Sequence, residues 1–406
     1  MKIEELELLK YMEIEEIELL SSKISNINLL NSIVETFDNV SYEARTRLLE
    51  ELKNCDYNEK ECYIATSYDV LKKRTIEEQI RLMEELKNCD YNGNACMIAK
   101  NSDVLENRTI EEQIKIMEEL KNCGYNKYAC YTAVNSDVLE NRTIEEQIKL
   151  IETLKSYDYN RIAYCIATDS NVLEKRTIEE QIRLMEELKK CDYNENAFMI
   201  AKNSKVLKNR TIEEQIKLIE TLKSYDYGEI QYYIAVNSDV LENRTIEEQI
   251  KLIEELKNCD YNENAYNIAI DNIAIDRTVL ENRTIEEQIK LIEELKNCDY
   301  NRNAHRIAID KDVLEKRKIE EQISLMEELK NCYYNENAYN IAIDSDVLEK
   351  RTIEEQIKLI ETLKSYDYNR NAHCIAIDSN VLEKRTIEEQ IRLMEELKNC
   401  DYNENA

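Results

Sequence analysis

Apolar residues recur with a helical period in one segment that returns throughout the chain. In the copy IEEQIKLIETLKSY the apolar positions share one face at the 3.6-residue period of an α-helix, and charged residues occupy the other face. Thr352 precedes this segment and Glu355 follows three residues later, which predicts a capping box. The apolar positions are Ile353, Ile357, Leu359, Ile360 and Leu363.

A shorter helix is predicted in front of each long one. The segment ENAYNIAI follows Asn335, which is typical of an N-cap, and its narrow apolar face consists of small or branched residues. The stretch DSDVLEKR is then expected to link the two helices, with Val347 and Leu348 as apolar anchors.

The same unit repeats with a 34-residue period. Its landmark is an arginine before the long helix, at Arg74, Arg108, Arg142, Arg176, Arg210, Arg244, Arg283, Arg317, Arg351 and Arg385. Neither helix can bury its apolar face alone, so successive units must stack. We predict an all-α, right-handed α-solenoid superhelix of two-helix repeats over residues 45–406. It contains eleven long helices, the first beginning near Thr46, and residues 1–44 form a helical capping region.

One step breaks the period. Arg244 and Arg283 are 39 residues apart, because NIAID occurs twice in succession and adds residues 272–276. The favoured interpretation is a tolerated loop insertion, since a tandem copy can be accommodated at a surface connection. The alternative is a hinge that divides the stack near residue 275.

Two polar residues recur at fixed positions from unit to unit. Gln356 and its equivalents lie within the apolar arc of the long helix, where a buried amide must find partners. We expect them to fix the unit internally, and the alternative is a polar ladder that contacts a ligand. Arg351 and its equivalents are expected to form structural ion pairs with nearby glutamates.

Composition narrows the range of functions. The 406 residues include 3 Gly, no Pro and no Trp, and the net charge is −30. Nucleic acid is therefore not the expected partner, whereas basic peptides or basic protein surfaces are. Phosphate-cradling loops and convergent catalytic sets are missing, and His305 and His373 lie two repeats apart. We expect no enzymatic activity, no cofactor and no metal.

Cysteine usage and the N-terminal residues bear on the compartment. Most of the 13 cysteines occupy one repeat position, which Tyr157, Tyr225 and Tyr366 fill in other repeats. A position that accepts either residue type is a packing site, so reduced thiols in the cytoplasm are expected. The N-terminus has no cationic region before an apolar core, and no apolar run is long enough to cross a membrane.

The repeats differ mainly at two adjacent positions of the short helix. Variation concentrated on one element of a stacked array points to a recognition face, and the residue types found there are common in interfaces. The alternative is drift at loosely constrained packing positions. The expected ligand-binding residues are Phe198, Met199, Tyr232, Tyr233, Tyr266, Asn267, His305, Arg306, Tyr339, Asn340 and His373.

The unit resembles several helical repeat families. Its period is that of tetratricopeptide repeats, whose Trp, Leu-Gly and terminal Pro are missing here. The stretch AYNIAIDSDVLEKRTIEE is similar to pentatricopeptide repeats over half a unit, and IAIDSDVL resembles HEAT-like and variant leucine-rich repeats. The pentatricopeptide resemblance implies modular binding of single-stranded RNA, with Asn267 and Asn340 as base readers.

The leading hypothesis is a scaffold that binds a protein or peptide through the short helices. Modular recognition of single-stranded nucleic acid is the second. The third is a structural, self-associating array, because the sequence ends in YNENA where another short helix would begin. We expect this end to reflect truncation, with end-to-end stacking on another copy as the alternative.

Overall fold

The computed structural model describes residues 7–270 and 278–399 of the chain. This part contains 33 α-helices and no strand. The chain divides into two compact units, Met1–Leu207 and Lys208–Ala406. Each unit is built from the same repeat.

Eleven long helices lie among the described residues, as the periodicity predicts. Each is 13 residues long, and the capping box expected at Thr352 and Glu355 is present. The helices span Tyr42–Asn54, Ile76–Asn88, Ile110–Asn122, Ile144–Ser156, Ile178–Lys190, Ile212–Ser224, Ile246–Asn258, Ile285–Asn297, Ile319–Asn331, Ile353–Ser365 and Ile387–Asn399.

The predicted short helix is also present in each repeat, and we call it the first short helix. The side chain of Asn335 caps it by accepting hydrogen bonds from the backbone N–H groups of Asn337 and Ala338. The ten copies span Glu59–Ala65, Gly93–Lys100, Lys127–Val134, Arg161–Ala167, Glu195–Lys202, Glu229–Val236, Glu263–Ile270, Arg302–Ile309, Glu336–Ile343 and Arg370–Ile377.

The stretch expected to be a linker is a helix as well, so each repeat holds three helices and not two. Asp344 caps this second short helix by accepting from the N–H of Val347 at 3.0 Å, and Val347 and Leu348 are buried. Its copies span Tyr68–Lys73, Ser102–Asn107, Ser136–Asn141, Ser170–Lys175, Ser204–Asn209, Ser238–Asn243, Thr278–Asn282, Lys311–Lys316, Ser345–Lys350 and Ser379–Lys384.

Within each unit, equivalent helices of successive repeats pack side by side, which makes an all-α solenoid. The long helices form one row, and the two sets of short helices form two more. The core lies between the rows. In one repeat it contains Leu184 and Leu188 from the long helix, Ile200 from the following first short helix and Val172 from the preceding second short helix, each fully buried.

Within its described residues, the capping region includes the helices Ile14–Lys23 and Ile27–Asn39, which precede the first long helix. That long helix begins at Tyr42 and not near Thr46, because Ser41 acts as its N-cap and accepts from the N–H of Ala44 at 3.2 Å. The boundary expected between residues 44 and 45 therefore falls inside this helix.

A tight turn joins each long helix to the next first short helix. After the C-cap residue Cys191, Asp192 and Tyr193 both have positive φ, at 49° and 56°, and the N–H of Tyr193 bonds to the carbonyl of Leu188. Such left-handed backbone is costly for most residues and free of strain only for glycine. Gly124, with φ 58°, occupies the first of these positions in another repeat.

The recurring glutamine holds the repeat together internally, as expected. Gln181 is fully buried, and its Nε2 donates to the carbonyls of Ile166 and Ala167 at 2.8 and 3.1 Å. These carbonyls end the first short helix, where an α-helix has no internal donors left for them. The amide therefore satisfies a helix end and fixes the angle between the first short helix and the long helix.

The recurring arginine joins one repeat to the next. Arg142 donates from Nε and Nη2 to Gln181 Oε1, from Nη1 to the carbonyls of Asn141 and Leu173, and from Nη2 to the carbonyl of Arg176. We expected ion pairs with glutamates, but these partners are neutral oxygens. Nearby glutamates affect the guanidinium only through the electrostatic field of their charges. Burial lowers the pKa of Arg142, and the charges of Glu146 and Glu179 oppose this shift. We call this set of bonds the Arg–Gln ladder.

The ladder lacks an arginine at its N-terminal end. Gln79 bonds to the first short helix in the usual way, but its buried Oε1 has no hydrogen-bond partner. Val40 stands 34 residues before Arg74, where an arginine would reach this oxygen. A cavity of about 590 Å³ lies there, lined by residues that include Val40, Leu71 and Ile76.

The ladder spans the five-residue insertion without interruption. Arg244 Nη2 donates to the carbonyl of Arg283 at 2.8 Å and to Gln288 Oε1 at 3.3 Å, and Gln288 Nε2 donates to Ile268 and Ala269. These are the usual bonds with five residues added between the partners. The insertion itself, residues 272–276, lies outside the described residues. The interpretation of these residues as a tolerated loop therefore stays a prediction.

Supplying the missing ladder arginine should stabilise the chain. We expect Val40→Arg to raise the free energy of unfolding by about 1 kcal/mol, because charge-assisted bonds outweigh the ordering of one side chain. Urea unfolding followed by circular dichroism measures the change. In a Gln79→Leu background the gain should disappear. An equal gain in both backgrounds would show that the arginine does not bond to Gln79.

Removing residues 272–276 should leave the fold intact. The deletion restores the 34-residue spacing and shortens one connection, so the free energy of unfolding should change by less than about 1 kcal/mol. The control deletes residues 254–258 from a long helix, which rotates everything after them by about 140°. Urea unfolding should separate the two variants clearly. Equal destabilisation would contradict the interpretation of the insertion as a tolerated loop.

Candidate functional site

In each unit the first short helices carry the variable residues. In the copy Glu195–Lys202, Ala197, Ile200 and Ala201 are buried at the i, i+3 and i+4 positions. The adjacent pair Phe198 and Met199 is half-buried. The small inward residues let neighbouring helices approach closely, and the variable pair is left at the boundary with solvent.

The two members of most variable pairs differ in their exposure. In seven of the ten pairs the first member is more buried than the second, and in the other three both members are half-buried. Tyr131 and Tyr233, both second members, are 50% and 43% exposed. We call the accessible set the short-helix face. In the first unit it comprises Tyr63, Met97, Tyr131, Tyr164, Cys165, Phe198 and Met199. In the second unit it comprises Tyr232, Tyr233, Tyr266, Asn267, Arg306, Asn340 and Cys374.

Three of the residues expected to contact a ligand are buried. His305 and His373 are each 8% exposed, and Tyr339 is 7% exposed. Burial lowers the pKa of both histidines, and the Nε2 atom of each has no hydrogen-bond partner. These rings are therefore neutral packing groups near pH 7. The structure places them beneath the short-helix face.

Aromatic rings of successive repeats contact one another on this face. The ring centroids of Tyr128 and Tyr164 are 4.9 Å apart, and those of Tyr131 and Tyr164 are 6.3 Å apart. In the second unit Tyr232 and Tyr233 lie 5.5 Å apart. Such spacings are favourable for ring pairs. In the first unit these contacts link Tyr131 and Tyr164 of successive repeats, whereas in the second unit Tyr232 and Tyr233 form a pair within one repeat.

Cations already lie over several of these rings. Lys100 Nζ is 4.9 Å from the ring centre of Tyr63, and Lys202 Nζ is 4.7 Å from that of Phe198. In the second unit the guanidinium of Arg306 lies 5.7 Å from the ring of Tyr339. Attraction of a cation to a ring face is worth about 0.5–1 kcal/mol at exposed sites. The chain's own cations thus already cover the rings of Tyr63, Phe198 and Tyr339.

The long helices carry a different surface. Lys149 Nζ lies 3.0 Å from Glu179 of the next repeat, and Lys217 Nζ lies 2.9 Å from Glu247. These pairs are well exposed, so each contributes little to stability. They nevertheless pair these charged side chains with each other, between the long helices of successive repeats.

The recurring cysteine lies in a packing position, as expected. Cys298 is fully buried, and its Sγ is 3.5 Å from Glu294 Oε1 in the preceding turn. The hydroxyl of Tyr334, from the next repeat, donates to the carbonyl of Cys298 at 2.9 Å. Neither Cys298 nor Cys374 forms a disulfide, and Cys374 is exposed on the short-helix face.

One buried cluster of side chains was not predicted from the sequence. Glu51, Cys55 and Glu61 each offer a metal-binding atom, and these atoms lie within 4.8 Å of one another. The available signal was Glu61 itself, which stands where most repeats have alanine. The spacing of the three residues matches no common metal motif, so only a comparison between repeats could have drawn attention to it.

Comparison of the sequence with known proteins does not assign the chain to a family. The chain matches no protein-family model and no characterised protein. No helix within residues 7–270 or 278–399 combines the length and apolar character needed to cross a bilayer.

The geometry predicts very unequal thiol reactivity. Burial raises the pKa of Cys89 and Cys298 to about 11 each, so at pH 8 little of either is thiolate. In the folded chain we expect Cys374 to react with iodoacetamide more than about a hundredfold faster than these two. Mass spectrometry of each cysteine measures the rates, and urea should abolish the difference. Equal rates in the folded chain would contradict the described burial.

Proposed function

We propose that this chain is a non-enzymatic scaffold that binds a peptide or protein segment through the short-helix face. The observation that carries the proposal is the partly exposed aromatic surface of the short-helix face, on which Tyr131 and Tyr233 are the most accessible rings. Contiguous exposed aromatic surface is unfavourable in water and is typical of binding surfaces.

The division of labour within the repeat supports this proposal. The Arg–Gln ladder uses the same residues at each step, whereas the short-helix face changes from repeat to repeat. The buried hydrogen bonds of the ladder restrict which residue types can occupy its positions, whereas the positions of the short-helix face carry no such restriction. A face that varies over a constant frame can match the irregular side chains of a particular partner.

Charge and ring chemistry together favour a basic partner segment. The chain carries a net charge of −30, which attracts positive molecules at long range. At short range, the lysines over Tyr63 and Phe198 are models for how a partner's lysine or arginine would seat on an open ring. A segment with alternating basic and apolar side chains fits both features.

Selection of peptides from a random displayed library provides the test. The face variant carries alanine at Tyr63, Met97, Tyr131, Tyr233 and Arg306. The matched control changes the long-helix surface instead, with Lys149, Glu179, Lys217 and Glu247 all converted to glutamine, which leaves the net charge unchanged. We expect selected peptides to bind the original chain and the control alike, and to bind the face variant at least about tenfold more weakly.

Further arms of the experiment decide between the hypotheses. Face variants restricted to the first or the second unit show which unit binds. Equal peptide binding by the face variant and the original chain would overturn the proposal. A single-stranded RNA pool that binds with a steep salt dependence, while no peptide is enriched, would favour nucleic-acid recognition. Growth of the particle with concentration in sedimentation, again without peptide binding, would favour a self-associating array.

A further inference from the structure

One repeat position separates the first repeat from nearly all the others. Alanine occupies it at Ala95, Ala129, Ala163, Ala197, Ala265, Ala304, Ala338, Ala372 and Ala406. The exceptions are Glu61 and Gln231. The described alanines are fully buried, so the position belongs to the packed side of the first short helix. A carboxylate here needs a physical reason.

The neutral exception, Gln231, is accommodated by a second change in its repeat. Gly228 replaces the usual asparagine N-cap, and a Cβ atom at this glycine would lie only 2.1 Å from Gln231 Oε1. The glutamine amide therefore fills the space that an N-cap side chain would take. No such compensation accompanies Glu61, because Asn58 still caps its helix.

Glu61 is a buried acid whose carboxylate receives no hydrogen bond of normal geometry from the residues described. The residue has no exposed surface. The Cys55 thiol and the Tyr91 hydroxyl lie near the carboxylate and lower its pKa, but by less than burial raises it. Burial raises the pKa of Glu61 to about 7. The groups that face it are Glu51, Cys55, Lys87 and Tyr91. An unbonded buried carboxylate is costly unless a cation or a proton occupies the site.

The long helix supplies two further ligands beside this carboxylate. Glu51 and Cys55 are four residues apart, which puts them on the same side of the helix end, with Cys55 Sγ 3.3 Å from Glu51 Oε1. Glu51 is 9% exposed and Cys55 is 5% exposed. The three ligand atoms lie within 4.8 Å of one another, which is close enough for one ion to contact them all.

We propose that Glu51, Cys55 and Glu61 form a binding site for a divalent zinc-class cation. One thiolate and two carboxylates suit zinc, which accepts sulfur and oxygen ligands in a tetrahedral arrangement. Water completes the coordination. On binding, the Cys55 thiol releases its proton to solvent, and Glu61 gives up any proton it holds.

The fold provides a route for the ion. A cavity of about 460 Å³ borders the site and is lined by residues that include Cys55, Tyr57 and Tyr91. Lys23 and Asp56 also line it and form an ion pair with Nζ and Oδ2 2.6 Å apart. Cys55 thus connects the buried ligands to an opening on the surface.

The second repeat offers a matched control within the same chain. Glu85 and Cys89 have the spacing of Glu51 and Cys55, with Sγ 3.5 Å from Oε1, but Ala95 stands in place of Glu61. Glu61→Ala makes the first repeat like the second and should fold, because alanine is the usual residue. Ala95→Glu makes the second repeat like the first.

Zinc titration of the full, metal-free chain against a chromophoric chelator tests the proposal. We expect one site in the original chain, an affinity loss above about a hundredfold in Glu61→Ala, and a second site in Ala95→Glu. With cobalt as the probe, a sulfur-to-metal charge-transfer band should appear and should vanish in Cys55→Ser. Unchanged zinc affinity in Glu61→Ala, or no zinc binding by the original chain, would overturn the proposal.

Thermal unfolding gives an independent readout. Without metal, Glu61→Ala should melt at a higher temperature than the original chain, because it removes an unpaired buried carboxyl group. Added zinc should raise the melting temperature of the original chain and leave that of Glu61→Ala unchanged. The same zinc response in both proteins would show that the ion binds elsewhere and would contradict the assignment.

Discussion

The buried guanidinium of the Arg–Gln ladder is the constraint on which the rest of the architecture depends. A guanidinium has five N–H donors in a rigid fork, and Arg142 directs them to three carbonyls and to Gln181 Oε1. Four oxygens must therefore occupy fixed places around one charge. Since the carbonyls of Leu173 and Arg176 belong to the next repeat, this requirement sets the spacing and rotation between repeats. A small shift would leave a buried charge unpaired, which costs several kcal/mol.

Local pattern predicted the parts of the fold that local physics determines. The long helices, the caps at Thr352 and Asn335, and the internal role of Gln356 follow from periodicity and from the need to satisfy a buried amide. The second short helix was not predicted, because six residues are too few to show a helical period. Its N-cap residue, Asp344, could have been recognised in the sequence. The hydrogen-bond partners of the arginines were not predicted either. Most are backbone carbonyls, which every residue has, so the sequence does not show which of them will accept a bond.

The candidate surfaces show a similar limit. Variation between repeats drew attention to the first short helix, but it could not separate Tyr339, which is buried, from Asn340, which is half-buried. Both vary, since packing between non-identical neighbours tolerates variation as readily as contact with a ligand does. The cluster around Glu61 is harder still, because its ligands come from two helices and meet only after folding. A residue that departs from its own repeats proved more informative there than any motif.

The identity of the ladder bonds from step to step has a consequence for how such a chain can change. Each repeat offers the same arginine to the repeat after it and the same glutamine to the repeat before it, so any two copies can be joined into a complete junction. Recombination between misaligned copies of the repeat in the gene would then give chains that are longer or shorter by whole 34-residue units and that still form complete junctions. Even the 39-residue step obeys this rule, since Arg244 still reaches Gln288. The number of repeats can therefore change more easily than the arginine and glutamine residues that join them.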